Sequence, residues 1–322
     1  MTTLLELRSF TVELPTAVGW VRPVNEISLK IAPGETLGLV GESGSGKTML
    51  SLALMGLLPA GARVSGQATF ALLNGAPRFL TALSEKDWRR LRGHDIAMIF
   101  QEPMTSLNPV MRIGAQIEEA ILAHEPEMSR DALRSRLLTA MNQASIPDPM
   151  VRAGQFPHQL SGGLRQRAMI AMALAPAPKL LIADEPTTAL DVTVQKQILD
   201  LLDRLRHELE LALLFITHDL GVVARVADRI AVMYAGRVVE EGPTQKVLTE
   251  PQHPYTRGLL EASPTLERRP LLPIPGSVPQ LTQLPSGCAF GPRCAFHREE
   301  CDVAVPEFRR PQPDHGARCV LV

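Results

Sequence analysis

The chain has 322 residues, of which 45% are hydrophobic, enough to bury a sizeable core and to exclude a disordered chain. Its 33 basic and 34 acidic residues leave a formal net charge of -1, so there is no general positive excess to neutralise many phosphates, which argues against a nucleic-acid partner. The longest unbroken apolar runs, such as Ala168 to Ala175, fall far short of the ~20 residues that cross a bilayer. Work at a membrane would need partners that span it.

The amino terminus alternates like a strand through Leu14 and lacks the charged leader and apolar stretch of a signal peptide. From about residue 36 onward, short apolar runs alternate with amphipathic stretches, the pattern of an α/β domain whose strands feed helices through functional loops. Thr36 to Val40, Ile96 to Phe100, Leu180 to Ala183, Leu213 to Thr217 and Arg229 to Tyr234 are the predicted strands. Ligands of open α/β sheets gather outside the carboxyl ends of the strands, which is where the motifs below fall.

Residues 112 to 145 carry helical periodicity at Ile113, Ile117, Ile121, Leu133, Leu137, Leu138 and Met141. They predict a small helical subdomain, taken as residues 104–175, inside a domain of residues 1–250. Beyond Gly242 lie 13 of the 27 prolines, and all four cysteines fall between 288 and 319. Residues 251–322 therefore read as a separate, loop-rich extension.

Gly41-Glu42-Ser43-Gly44-Ser45-Gly46-Lys47-Thr48 fits the phosphate-loop pattern, after an apolar strand and before a helical repeat of Leu50, Leu54 and Leu57. The glycines let backbone N–H groups face phosphate oxygens, and the helix end adds partial positive charge. Lys47 reaches the outer phosphates, and Thr48 offers a hydroxyl to Mg²⁺. Met49 completes the nucleotide-binding stretch.

Leu180 to Ala183 leads into Asp184 and Glu185, closed by Pro186. Asp184 is placed to hold Mg²⁺ and Glu185 to orient and deprotonate an attacking water. His218, after one strand, could bond a γ-phosphate, and Gln101, after another, could ligate Mg²⁺ or the water. Each of these two alone would read as a structural residue. Leu160-Ser161-Gly162-Gly163 opens an apolar helix, with Ser161 as N-cap and two glycines baring backbone donors.

The order of these elements, phosphate loop, Gln101, Leu160 to Gly163, Asp184-Glu185, Ala189-Leu190-Asp191 and His218, resembles the ABC ATPase family over roughly residues 4 to 250. Its Walker A, Q-loop, signature, Walker B, D-loop and H-loop fall in that succession. The resemblance implies an α/β P-loop NTPase fold with a mixed sheet, a helical subdomain and a cysteine-containing extension. It also implies ATP and Mg²⁺ as cofactors and a head-to-tail dimer in which Ser161 and Gly163 act in trans. Two departures stand out. Where the family stacks adenine on an aromatic ring this chain has Leu14, with Phe10 and Trp20 the nearest rings, and Leu164 stands where many members have Gln.

His253-Pro254-Tyr255 and the stretch from Gln101 to Pro109 resemble the dipeptide and oligopeptide importer branch. That likeness implies peptide uptake powered from the cytoplasmic face of the cell membrane. The partners it implies are two permeases, an external solute-binding protein, and a second ATPase that is either this chain or a similar one. Nickel, glutathione or another small solute is the alternative cargo, and a soluble non-transport ATPase the more distant one. Cys288, Cys294, Cys301 and Cys319 are spaced C-x5-C-x6-C-x17-C, which matches neither common zinc pairs nor a ferredoxin run. Resemblance to similar importer ATPases implies an iron-sulfur (4Fe–4S) cluster there, with zinc or buried free thiols as alternatives. His297 and His315, nearby, are expected at the surface.

Overall fold

The structure, a computed structural model, describes residues 3–71, 76–101, 106–188, 190–263 and 272–322. Residues 102–105 of the Gln101 to Pro109 stretch and residue 189 of the Ala189-Leu190-Asp191 element lie outside that set.

In chain order the elements begin with β1 (Leu5–Thr16), β2 (Gly19–Ile31), β3 (Thr36–Val40), α1 (Lys47–Leu54), β4 (Arg63–Phe70) and β5 (Arg78–Phe79). Next come α2 (Glu85–Leu91), β6 (Ile96–Ile99), α3 (Ile113–Leu122), α4 (Arg130–Gln143) and α5 (Pro149–Ala153). Then follow α6 (Gly162–Leu174), β7 (Leu180–Asp184), α7 (Val192–Leu209), β8 (Ala212–Thr217), α8 (Leu220–Val226) and β9 (Arg229–Tyr234). The chain closes with β10 (Arg237–Pro243), α9 (Thr244–Thr249), α10 (Pro254–Ala262), α11 (Glu300–Val303), β11 (Arg309–Gln312) and β12 (His315–Ala317). Two compact units share these elements: Met1–Ala82 with Phe215–Val322, and Leu83–Leu214.

In the first unit β1 pairs antiparallel with both β2 and β4. Its buried side chains switch step past Ser9, whose φ of 46° marks the irregularity between Leu7 and Phe10. β3 runs parallel to β9, from Leu37 beside Arg229 to Val40 beside Val232, and all five of its residues are buried. Burial of every residue is the signature of a parallel strand covered on both faces. β9 returns antiparallel as β10 across Ala235 and Gly236, both at positive φ, the turn whose twist suits a two-residue hairpin. The sheet is therefore mixed. β12 pairs with the free edge of β10, and β11 with β12, so the last part of the chain covers an edge strand.

In the second unit β6 and β7 run parallel, Ile96 beside Leu180 through Ile99 beside Ala183. Helices α3 to α6 lie between these two strands in the chain, with Ile113, Ile117 and Ile121 buried along one face of α3 and Leu137 and Met141 along α4. Among the described residues no helix is long and apolar enough to cross a membrane.

The strands expected at Thr36 to Val40 and Arg229 to Tyr234 have those bounds, while the one expected to end at Phe100 stops at Ile99. The helix after the phosphate loop is shorter than its leucine repeat suggests. It ends at Leu54, Gly56 turns the chain at φ 62°, and Leu57 is 39% exposed.

Candidate nucleotide site and cysteine pocket

The first unit carries the glycine loop at the carboxyl end of β3. At Gly46 φ is 106°, and a Cβ there would come within 1.8 Å of the Pro23 carbonyl oxygen. At Gly41 a Cβ would meet the Met233 carbonyl oxygen at 2.1 Å. Only glycine lets the loop lie this close to its neighbours. Gly46 is also the N-cap of α1 and brings no side chain to the helix end, which leaves backbone donors of the first turn to an anion. Lys47 is 5% exposed and its ammonium donates to the carbonyl oxygens of Gly41 at 2.7 Å and Glu42 at 3.0 Å. The loop thus curls around its own lysine. Ser45 is fully buried, its carbonyl accepting from the Gly236 N–H at 2.9 Å. His218, just after β8, is exposed in the same unit.

The second unit carries the acids. Asp184 ends β7 at 2% exposure, and Glu185 follows with φ 48°, a left-handed conformation that a non-glycine residue adopts at a cost. Gln101 donates its amide to the Glu185 carboxylate at 3.1 Å, and the Thr188 hydroxyl donates to the same oxygen at 2.8 Å. Sequence reasoning gave Gln101 and Glu185 separate roles; the fold joins them. Ser161 caps α6, its hydroxyl accepting the Leu164 N–H at 3.4 Å, and Ser161 and Gly162 are exposed. Gly163 has no room for a Cβ, which would meet Val194 at 2.8 Å. Asp191 caps α7 by accepting the Val194 N–H at 2.9 Å.

Of the rings near Leu14, Phe10 is 2% exposed in the core, whereas Trp20 is 44% exposed with the Arg63 guanidinium 3.9 Å from its centre. A cation on an indole face is an ordinary stabilising pair.

All four cysteines line one small, almost wholly apolar cavity of about 10 Å³, together with His253 and Phe290. Burial pushes the thiols of Cys288, Cys294 and Cys319 above the ordinary range, which keeps them protonated and unreactive while no metal binds them. The donor set suits a soft metal or an iron-sulfur cluster. Among the described residues, however, no three His, Cys, Asp or Glu side chains converge closely enough to hold a metal ion. The pocket supplies the ligand atoms without a formed coordination shell.

His315 corrects the expectation of a surface residue. It is fully buried, with Nε2 2.8 Å from the equally buried Glu240 carboxylate, because β12 lies against β10 and sets the ring over Gly242. His297 does lie partly exposed, beside Asp302 at 3.0 Å.

Two residues that sequence reasoning missed reach the phosphate loop. Tyr255 accepts the Glu42 N–H, and Arg293 forks onto the Glu42 carboxylate. Tyr255 belongs to a motif quoted for resemblance alone, and Arg293 to a tail noticed only for its prolines and cysteines.

A buried strand ending in a glycine loop that opens a helix, with a lysine turned into the loop, defines a P-loop nucleotide-binding cassette. The chain belongs to the ABC transporter family, which matches residues 24–188, and the oligopeptide/dipeptide transporter C-terminal region matches residues 239–301. It is 49% identical over 327 residues to a putative peptide import ATP-binding protein of Brucella ovis, covering 98% of this chain and 96% of that one. It is likewise 49% identical over 305 residues to the oligopeptide transport ATP-binding protein OppD of Salmonella typhimurium, covering 94% and 89%. Among solved structures it resembles the ATP-binding cassette MJ0796, in a dimeric post-hydrolysis state bound to ADP and Pi. That match has a TM-score of 0.65 and 27% identity, over 74% of this chain and 98% of that one. The cbiO1 protein of Clostridium perfringens, part of the ABC transporter complex cbiONQ, matches at TM-score 0.65 and 27% identity over 78% and 92%.

Proposed function

We propose that this chain binds and hydrolyses ATP as the energising subunit of a peptide importer. It works at the cytoplasmic face of the cell membrane, beneath two permeases fed by an external binding protein. The observation that carries this reading is Lys47 turned into the glycine loop at the end of β3, in a chain half identical along its length to peptide import ATP-binding proteins. Residues 1–250 form the ATPase domain, with its helical subdomain, and residues 251–322 the extension.

In this reading the loop from Gly41 to Met49 wraps the phosphates with backbone N–H groups while Lys47 balances their charge. Thr48, through its hydroxyl, and Asp184 and Gln101, through a carboxylate and an amide oxygen, are the residues that would hold Mg²⁺, whose charge would offset that of the phosphates. Glu185, oriented by Gln101 and Thr188, takes the proton of the attacking water, and His218 bonds the γ-phosphate. Ser161, Gly162 and Gly163 of a second copy, or of a similar ATPase, cap the nucleotide, with Asp191 bordering the joint. The exposure of Ser161 and Gly162 supports that role, since a group that acts in trans must be reachable. The four cysteines, which all line one apolar cavity, are the residues that would hold an iron-sulfur (4Fe–4S) cluster; no hydrolytic step depends on it.

The test is reconstitution with the cognate permeases in lipid vesicles. Peptide presented by the binding protein is expected to stimulate ATP hydrolysis and to accumulate inside. Stimulation by nickel or glutathione in place of peptide would reassign the cargo, and a complex that never hydrolyses ATP would overturn the reading altogether.

A further inference from the structure

Glu42 lies in the glycine loop, and two of its partners, Tyr255 and Arg293, come from the chain beyond residue 250. Its N–H donates to the Tyr255 hydroxyl at 2.8 Å. Its carboxylate receives both terminal nitrogens of Arg293, at 2.6 and 3.0 Å. Its carbonyl oxygen accepts from the Lys47 ammonium at 3.0 Å. Every polar atom of Glu42 is therefore engaged, one of them by the residue expected to meet ATP.

The two tail residues are rigidly placed. Tyr255 is fully buried at the start of α10, its N–H accepted by the His253 ring at 3.0 Å. The Arg293 side chain is 5% exposed, sits between Cys288 and Cys294 in sequence, and also donates to the Pro275 carbonyl oxygen at 2.9 Å and the Tyr234 hydroxyl at 3.3 Å. Tyr234, Tyr255 and Phe290 pack their rings 4.6 to 5.3 Å apart around these contacts. A buried guanidinium needs its charge answered, and a two-bond fork onto a carboxylate fixes angle as well as distance. A tail that only needed to adhere would gain as much by meeting any part of the unit. This one closes on the loop residue whose carbonyl shares the lysine.

We propose that Arg293 and Tyr255 are positioning residues of the nucleotide site: the carboxyl-terminal extension grips Glu42 and so fixes the loop that presents Lys47 to the phosphates. The inference rests on reading residues 41–48 as the phosphate loop. Because binding linkage is reciprocal, nucleotide must in turn tighten the docking of the extension.

The experiment uses the full chain and measures Mg-ATP affinity, the KM and kcat of hydrolysis, and hydrogen exchange across residues 272–301 with and without nucleotide. Arg293→Gln and Tyr255→Phe are expected to weaken ATP binding and raise KM by about 5–150-fold, the usual range of coupling between sites. Arg293→Lys should recover part of the loss, and Glu42→Gln combined with Arg293→Gln should be no worse than the poorer single variant. ATP should slow exchange in the extension of the wild type and not in Arg293→Gln. Wild-type affinity in both Arg293→Gln and Tyr255→Phe, whatever their melting temperatures, would reduce the contact to an anchor and overturn the inference. If Arg293→Gln does not fold, Tyr255→Phe and Glu42→Gln decide on the same criteria. Lys47→Ala is the reference: if it binds ATP like the wild type, the phosphate-loop reading itself fails and takes the inference with it.

Discussion

The Gln101 amide donates to the Glu185 carboxylate at 3.1 Å across 84 residues of chain, where Thr188 already donates to the same oxygen. A carboxylate held by two donors just after a strand, with a left-handed φ of 48°, is aimed rather than free to rotate. Glu185→Gln keeps the shape and removes the base. It should bind ATP with wild-type affinity, lose about 10²–10⁴-fold in turnover, and accumulate a dimer on size exclusion in the presence of ATP. Full turnover in that variant would remove Glu185 as the base.

Glu240 ties the extension to β10. Its buried carboxylate accepts the N–H groups of Gln252 and His253, each at 2.8 Å, and meets His315 Nε2 at 2.8 Å. His315→Ala strips one partner from a charge shielded from water, which should cost about 1–3 kcal/mol of stability. Chemical denaturation followed by circular dichroism reads this directly; an unmoved midpoint would mean the pair contributes nothing to the packing of β12.

His253 gives stability a pH dependence. Burial pushes its pKa from 6.5 down to about 3, so the folded chain keeps it neutral, with the ring nitrogen free to accept the Tyr255 N–H. Between those two values the unfolded chain binds a proton that the folded chain refuses. The stabilisation from a neutral His253 is complete above about pH 6.5 and is lost as pH falls towards about 3, at about 1.4 kcal/mol per pH unit. Urea midpoints measured between about pH 7 and pH 5 should fall for the wild type. In His253→Asn, whose amide oxygen can still cap α10, the fall should be shallower by about one proton. Parallel slopes would contradict this account.

Cys288, Cys294, Cys301 and Cys319 line one cavity, and their fate depends on what binds there. Anaerobic purification should give brown protein with about four irons per chain by elemental analysis. Removing the iron should lower the melting temperature, because a ligand that binds only the folded state stabilises it. A colourless, zinc-loaded preparation would refute the cluster.

Much of the nucleotide site was legible because its chemistry is local. A phosphate loop needs its glycines, lysine and hydroxyl in one contiguous turn, and Gly41 and Gly46 stand where no Cβ fits. Ser161 was readable as a cap because a hydroxyl at a helix start meets an N–H three residues on. Strand β3 was readable because burial on both faces leaves an unbroken apolar run. The short strands β11 and β12 were not, since four residues and three residues carry no period of their own.

By itself, the sequence determined the glycine loop, the acids after β7 and the capped signature helix, since each depends on residues within a few positions of one another, and their order along the chain gave the family. Tertiary structure alone decided that His315 is buried beneath β10, that Gln101 holds Glu185, and that Arg293 reaches Glu42 across 251 residues. Those pairings follow from which strand and turn lie side by side once the sheet has formed, and no spacing along the chain encodes that.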